Sequence, residues 1–345
     1  MRILSIQHAL PSLKVSNEEL VQIVMNREEN KIPAAERRAL RERIFEHLHY
    51  CGAHTRFLRS KSEKSVDLGI QAGESALVSA GLAPDDVGLL IYVGVGRGVI
   101  EPATANIFQD AIGLKKATCF DVLDACASWI RALDLARRFL DNHRYRYIML
   151  LNSEFNFHEY LRADFRSISD LEFLGAGLTI GEAATATVIG YDHNEDNYYS
   201  SFRTQGTLHR LCQIPLRHQI QYQIKSSGPQ HPPNKFYAYS TRLHKAAISM
   251  MVKHYWDESA ISEIEPDIIF GHSTSVPAAR SVLNHLRLDP SRYVDIFPGY
   301  GNTVSASVPL AMLLAEKQGR LKRGQTVFIA VTSAGVTSAF CRFTY

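Results

Sequence analysis

The chain has no C-x-x-C pair, no excess of charge of one sign and no long apolar run. Each absence removes a class of function. The five cysteines are Cys51, Cys119, Cys126, Cys212 and Cys341. An odd count without paired spacing argues against both a disulfide framework and a zinc site, so no metal is expected. Free thiols fit a reducing compartment. Lys and Arg number 38 against 35 Asp and Glu, a formal net charge of +3. That balance does not suit a general nucleic-acid binder. No stretch approaches the roughly 20 apolar residues that cross a bilayer. The start, Met1 to His8, meets Gln7 and His8 before it builds a signal-peptide core. The expectation is a cytoplasmic protein with no membrane span.

What is present is an ordinary globular composition, 46% apolar and 21% charged over 345 residues. That is enough for two mid-sized halves or one large α/β unit. Ser16 and Glu19 form a capping box at a helix start. The charged stretch 27–47 reads as a solvated helix face, with a lid or carrier-docking element as the sharper alternative. The continuous apolar run 86–96 predicts a strand buried on both faces. Helices are expected near 65–80, 103–112 and 127–140, and strands at 2–8, 118–123, 147–152 and 185–190. A second series follows, with helices at 240–256, 277–286 and 304–317 and strands at 267–271, at 326–332 and up to Tyr345. Alternating strands and helices imply βαβ units around parallel strands. The Gln-, His- and Pro-rich segment 207–235 reads as a surface excursion. The similar order of the two series hints at an internal duplication, although no repeat is visible by identity.

Cys126 stands where a short strand gives way to a helix. That position presents a sulfur at a sheet edge and near the positive end of a helix dipole, which favours thiolate, although on local context alone an ordinary buried structural cysteine is the plainer reading. Cys119 is expected as a core strand residue. His272 follows the apolar Ile268-Ile269-Phe270-Gly271, also at a strand's C-terminal end. Asn302 lies in Gly299-Tyr300-Gly301-Asn302-Thr303, ahead of an apolar helix. Taken singly, His272 reads more readily as a structural histidine, Asn302 as a turn residue or N-cap, and Gly335 as a residue of unusual backbone angle.

Asp121-Val122-Leu123-Asp124-Ala125-Cys126-Ala127 resembles the nucleophile segment of ketoacyl-ACP synthase III, in the thiolase superfamily. Gly301-Asn302-Thr303-Val304-Ser305-Ala306-Ser307-Val308-Pro309 is similar to that family's G-N-T-S-A-A-S-V-P, and Gly319-Arg320-Leu321-Lys322-Arg323-Gly324-Gln325 to its D-G-R-I-K-x-G-Q. His272 falls where the family has H-Q-A-N. The resemblance implies an α/β thiolase fold, with two pseudo-repeated halves (1–195 carrying the cysteine, 196–345 carrying His and Asn) in a five-layer αβαβα sandwich. It also implies a homodimer and a tunnel for phosphopantetheine-linked substrates, acyl-ACP or acyl-CoA, with no permanently bound cofactor. Cys126 would be acylated. His272 and Asn302 would donate hydrogen bonds to the second thioester carbonyl, and the amides of Cys126 and Gly335 would form the oxyanion hole.

The sequence also departs from the family. H-Q-A-N is here His272-Ser273-Thr274-Ser275, and F-G-D-G-A-G-A is Ile180-Gly181-Glu182-Ala183-Ala184-Thr185-Ala186. The family's coenzyme A-contacting tryptophan and arginine align with Glu46 and Tyr50, which favours a carrier-protein donor. Lys245 falls in the family's basic carrier-docking helix and Arg242 lies near it, although any exposed charged helix predicts the same residues. Glu101 stands where the family is usually apolar and where similar olefin-biosynthesis condensing enzymes have a glutamate base reaching the partner subunit. A carboxylate beside an acyl tunnel should have a raised pKa, while a salt-bridged interface residue is the plainer reading. The expected function is a 3-oxoacyl synthase-type condensing enzyme, an acyltransferase of specialised lipid or polyketide biosynthesis. The alternatives are a decarboxylative synthase III starting fatty-acid synthesis, an acyltransferase to a hydroxyl or amine, and a non-catalytic partner subunit.

Overall fold

The computed structural model describes residues 1–191, 197–222 and 231–345. The expected boundary at 195/196 and Pro229 of the 207–235 segment lie outside these residues. The first sheet contains β1 (Arg2–Ala9), β2 (Leu89–Val93), β3 (Thr118–Val122), β4 (Tyr147–Glu154) and β5 (Ala183–Gly190) in the order β1-β5-β4-β2-β3. β1 and β4 flank β5 antiparallel, while β4, β2 and β3 run parallel. Every residue of β2 is buried, as its unbroken apolar run requires of a central strand.

The second sheet contains β6 (Tyr199–Thr204), β7 (Ile268–Gly271), β8 (Thr326–Ser333) and β9 (Thr337–Thr344) in the order β7-β8-β9-β6. Strand for strand it repeats the first sheet. β6 pairs antiparallel with β9, β9 with β8, and β8 runs parallel to β7. A parallel bridge from Ile269 to Tyr293 stands where β3 lies in the first sheet. The duplication is therefore legible in pairing order although not in residue identity. Strand β6 was not foreseen from sequence. It is an edge strand of intermediate burial, and its composition (YSSFRT) is correspondingly polar.

Three apolar clusters stack the layers. Leu68, Ala72, Phe108 and Met149 join helices α1 (Ser65–Ala80) and α2 (Thr104–Ala111) to the outer face of the first sheet. Trp129, Leu133, Val308 and Met312 place α3 (Ser128–Asp141) and α6 (Ser307–Lys317) between the sheets. Met251, Tyr255, Leu283 and Phe328 join α4 (Ser240–Trp256) and α5 (Val276–Leu286) to the outer face of the second. The result is α/β in five layers, αβαβα. Gly69 and Gly73 allow α1 to approach α2, since a Cβ there would lie 2.4 Å from Phe108 and 2.5 Å from Ile112. Helix α6 is apolar on nearly all sides because both of its sides are covered.

The capping box forms as read, Ser16 Oγ accepting from Glu19 N at 3.2 Å and Glu19 accepting from Ser16 N at 2.7 Å. In the charged stretch, the helix Arg37–Cys51 buries Leu40, Ile44, Leu48 and Cys51 along one stripe against Phe157, Phe165 and Phe297. It is packed down by that stripe and solvated on the other side, so the plain reading holds over the lid. The 207–235 segment is less superficial than expected. His231 is buried, with Nδ1 3.0 Å from Arg162 Nη1 and its ring stacked on Tyr237 at 3.6 Å.

Candidate active site

The turn that holds Cys126 is a single 3-10 turn, Ala125–Ala127, between β3 and α3. It is tight: Ala125 has φ +42°, a region L side chains seldom occupy. Hydrogen bonds secure it. Ser128 Oγ donates to Ala125 O at 2.7 Å and accepts from Asp124 N at 2.8 Å, and Arg131 clasps Asp124 Oδ2 at 2.9 and 3.0 Å. Ser333 Oγ donates to Asp124 O at 2.7 Å, which ties the β8–β9 turn bearing Gly335 to the cysteine turn. Gly335 has φ +136°, where a side chain would be strained although space is available.

The expected depressed thiol pKa is overturned. Burial pushes the Cys126 thiol well above its ordinary value, and Cys212, Glu154 and Asp124 push in the same direction. A helix N-terminus contributes at most about 2 kcal/mol, whereas enclosing an uncompensated charge costs more. Cys126 is therefore a thiol at neutral pH. Its alkylation by iodoacetamide should rise about tenfold per pH unit from pH 7 to 9 as thiolate forms. Mass spectrometry of the Cys126 peptide checks this, and a rate already level at pH 7 would contradict it. Cys119 corrects another expectation. It lies half-buried on the edge strand β3, with Sγ 3.5 Å from Asn106 Oδ1, rather than in the core.

His272 leaves β7 and meets the turn that follows Asn302. Its Nδ1 lies 3.2 Å from Ser307 Oγ, and Nε2 is buried with no hydrogen-bond partner among the described residues. Burial lowers its pKa to about 4, partly opposed by the Val304 backbone, so the ring is neutral at pH 7. Ser307 Oγ donates to Val304 O at 2.9 Å. In that arrangement Nδ1 carries the ring proton and Nε2 presents a lone pair. Turning the Ser307 hydroxyl onto Nδ1 makes Nε2–H a donor instead.

Asn302 is 8% exposed. Its Oδ1 accepts from Val304 N at 2.9 Å, which commits the oxygen and leaves the amide NH2 for a ligand. Its backbone is pinned by Asn302 N to Thr179 O at 2.7 Å and Gly181 N to Asn302 O at 3.0 Å. Glycine is required at 181 and 301, because a Cβ would lie 1.9 Å from Tyr300 O and 2.6 Å from Thr179 O. The turn Val304–Ala306 packs directly on Ala125–Ala127. One contact thus brings together the cysteine and the turn that orients both His272 and Asn302.

Glu101 is not brought to this cluster within the chain. It is exposed on the loop between β2 and α2, without a hydrogen bond or ion pair among the described residues. Ile100 beside it is 74% exposed, and Leu123, which directly follows the edge strand β3, is 59% exposed. Lys245 and Arg242 are exposed on α4, and Arg242 stands over the Tyr239 ring at 5.5 Å. Glu46 pairs with Arg43 at 2.6 Å, and Tyr50 is exposed. A cavity of 590 Å³, counting its open mouth, lies between α4 and α5 and reaches His272 and Thr332, with Ala247, Ala278 and Ala330 among its walls. Among the described residues no group of three or more His, Cys, Asp or Glu could hold a metal ion, and no helix is long and apolar enough to cross a membrane.

Two residues at this site went unread in the sequence. Asp121 accepts from Thr104 N at 2.8 Å and Ala105 N at 2.9 Å, anchoring the end of the Glu101 loop. Glu154 ends β4, after the polar pair Asn152 and Ser153, and is buried. A carboxylate closing a buried strand was the available signal.

Residues 256–345 match the family described as 3-oxoacyl-[acyl-carrier-protein] synthase III C terminal. The chain is 25% identical to the β-ketoacyl-[acyl-carrier-protein] synthase III of Clostridium acetobutylicum, covering 81% of this chain and 83% of that one. It is 26% identical to the acyl-CoA:acyl-CoA alkyltransferase of Xanthomonas campestris, covering 83% of each. A crystal structure of Xanthomonas campestris OleA with bound lauric acid and lauroyl-CoA superposes with a TM-score of 0.83 at 20% identity, over 99% of this chain and 98% of that one. The 3-oxoacyl-[acyl-carrier-protein] synthase III of Aquifex aeolicus superposes with a TM-score of 0.81 at 20% identity, over 100% and 99%. The fold is the thiolase fold.

Proposed function

We propose that the chain is a ketoacyl-ACP synthase III-like condensing enzyme of the thiolase superfamily, joining two acyl thioesters through an acyl group on Cys126. Cys126 Sγ attacks the first thioester carbonyl. The carbon–sulfur bond to the carrier breaks, and the carrier thiol leaves with the proton that Cys126 gives up. With the Ser307 hydroxyl turned onto Nδ1, His272 Nε2–H and the Asn302 amide NH2 donate to the carbonyl of the second thioester, and the Cys126 and Gly335 amides hold the oxyanion of each tetrahedral intermediate. Glu101 of the partner subunit takes the α-proton. The resulting carbanion forms a carbon–carbon bond to the acyl carbon, and Cys126 leaves and is reprotonated. The product is a 3-oxoacyl thioester.

The observation that supports this reading is the packing of the Val304–Ala306 turn, which adjoins both Asn302 and the Ser307 partner of His272, on the Cys126 turn. The homodimer is proposed along the free edge of β3, whose exposed apolar neighbours need cover and whose loop would carry Glu101 across. The matched sheets support the division into halves 1–195 and 196–345. Carriers are phosphopantetheine thioesters. Arg242 and Lys245 are offered as the surface for an acidic carrier protein, and the cytoplasm as the setting.

A second reading, decarboxylative synthase III chemistry, is favoured by the synthase III relatives. Product analysis with pairs of acyl thioesters, one pair containing malonyl, separates the two. The leading reading predicts a 3-oxoacyl product from two simple acyl thioesters without carbon dioxide. Product only from malonyl pairs, with carbon dioxide, would replace it by the second.

A further inference from the structure

We propose that Glu154 is a positioning residue that locks the loop leading to Glu101 against the turn carrying Asn302. One carboxylate would then couple the base given to the partner subunit with the acyl-binding groups of its own. This rests on the reading that Glu101 acts across the dimer.

Glu154 is 1% exposed. No ion pair neutralises it among the described residues. A buried carboxylate without a cation costs several kcal/mol unless its lone pairs are filled, and here neutral donors fill them. Val95 N lies 3.1 Å from Oε1 and 3.2 Å from Oε2, and Gly96 N lies 2.9 Å from Oε2. Asn156 Nδ2 donates to Oε2 at 2.7 Å, and Ser305 Oγ donates to Oε1. Ser305 Oγ also accepts from Asn152 Nδ2 at 2.7 Å, and Asn152 Oδ1 from Thr185 Oγ1 at 3.0 Å. The arrangement therefore continues into the floor of the first sheet.

The donors belong to two segments with separate tasks. Val95 and Gly96 open the loop that ends at Glu101, and Asp121 fixes its far end through Thr104 and Ala105. Ser305 follows Val304, whose amide orients Asn302 and whose φ of +51° is costly for a β-branched residue. The glycines of Val93-Gly94-Val95-Gly96 are shaped around the carboxylate. A Cβ on Gly94 would lie 2.2 Å from Glu154 Oε1 and 2.8 Å from Ser305 Oγ, and Gly94 has φ +122°. A Cβ on Gly96 would lie 2.4 Å from Ser153 O. The two arms meet on one side chain.

Hybrid dimers separate the arms. In a hybrid of Cys126→Ala and Glu101→Ala chains, only one site has both groups. Glu154→Gln in the Cys126→Ala chain disturbs only the delivered Glu101. In the Glu101→Ala chain it disturbs only the Asn302 turn. Each placement should lower the single-turnover condensation rate about tenfold per dimer, and the first should leave acylation of the intact Cys126 unchanged. A role in stability alone would reduce dimer yield and leave the rate per dimer unmoved. If either glutamine chain fails to fold, Ser305→Ala removes one donor and keeps the carboxylate, and it should slow condensation only in the chain that holds Cys126. Parental rates in both placements would overturn the coupling. A parental hybrid that is itself inactive would instead overturn the crossing of Glu101, and the coupling with it.

Discussion

Cys126→Ala is expected to abolish both self-acylation and condensation. The loss should be on the order of 10⁶-fold, the scale on which removing a nucleophile acts in serine proteases. The argument is geometric. Asp124 and Ser128 hold a strained turn at the end of β3, and Ser333 ties the Gly335 turn to it. None of these bonds uses the Cys126 side chain, so the fold should survive in alanine while the sulfur is gone. Intact-mass measurement after incubation with an acyl thioester checks this. A persistent mass shift on the alanine variant would reject Cys126 as the acceptor.

Glu101→Gln should leave acylation of Cys126 intact and slow condensation by roughly 10²- to 10⁴-fold, the usual contribution of a general base. The split follows from position. Glu101 lies on an exposed loop, and among the described residues no hydrogen bond or ion pair ties it to the Cys126 turn. In the proposed dimer it serves the partner's site, and attack by Cys126 on a thioester does not need it. Equal rates of product formation in the two proteins would reject the base. Loss of acylation along with condensation would make Glu101 a structural residue of the interface.

Legibility in the sequence followed the range of the interactions. Cys126 was readable because strand, turn and helix adjoin in the chain, and Asn302 because its glycine-flanked segment is local and unusual. Gly301 and Gly181 then proved to be demanded by backbone approaches of 2.6 and 1.9 Å. The thiol's pKa was not readable, because the dipole belongs to the next helix whereas burial depends on the whole cluster. Glu154 was missed for a similar reason. Asn156 is a near neighbour, but the carboxylate's other donors lie at Val95 and Gly96, on a loop distant in sequence, and at Ser305, in the other half. Strand β6 was missed because an edge strand need not be apolar.

The most direct test of the central claim is a chase of the isolated acyl-enzyme. Cys126 is loaded with an acyl group labelled with carbon-13 at its carbonyl, freed of excess thioester, and given an unlabelled second acyl thioester. The account predicts that the label leaves Cys126 and appears at the 3-oxo carbon of the product. Label that remains on the enzyme while product forms, or product labelled at the thioester carbonyl, would contradict it.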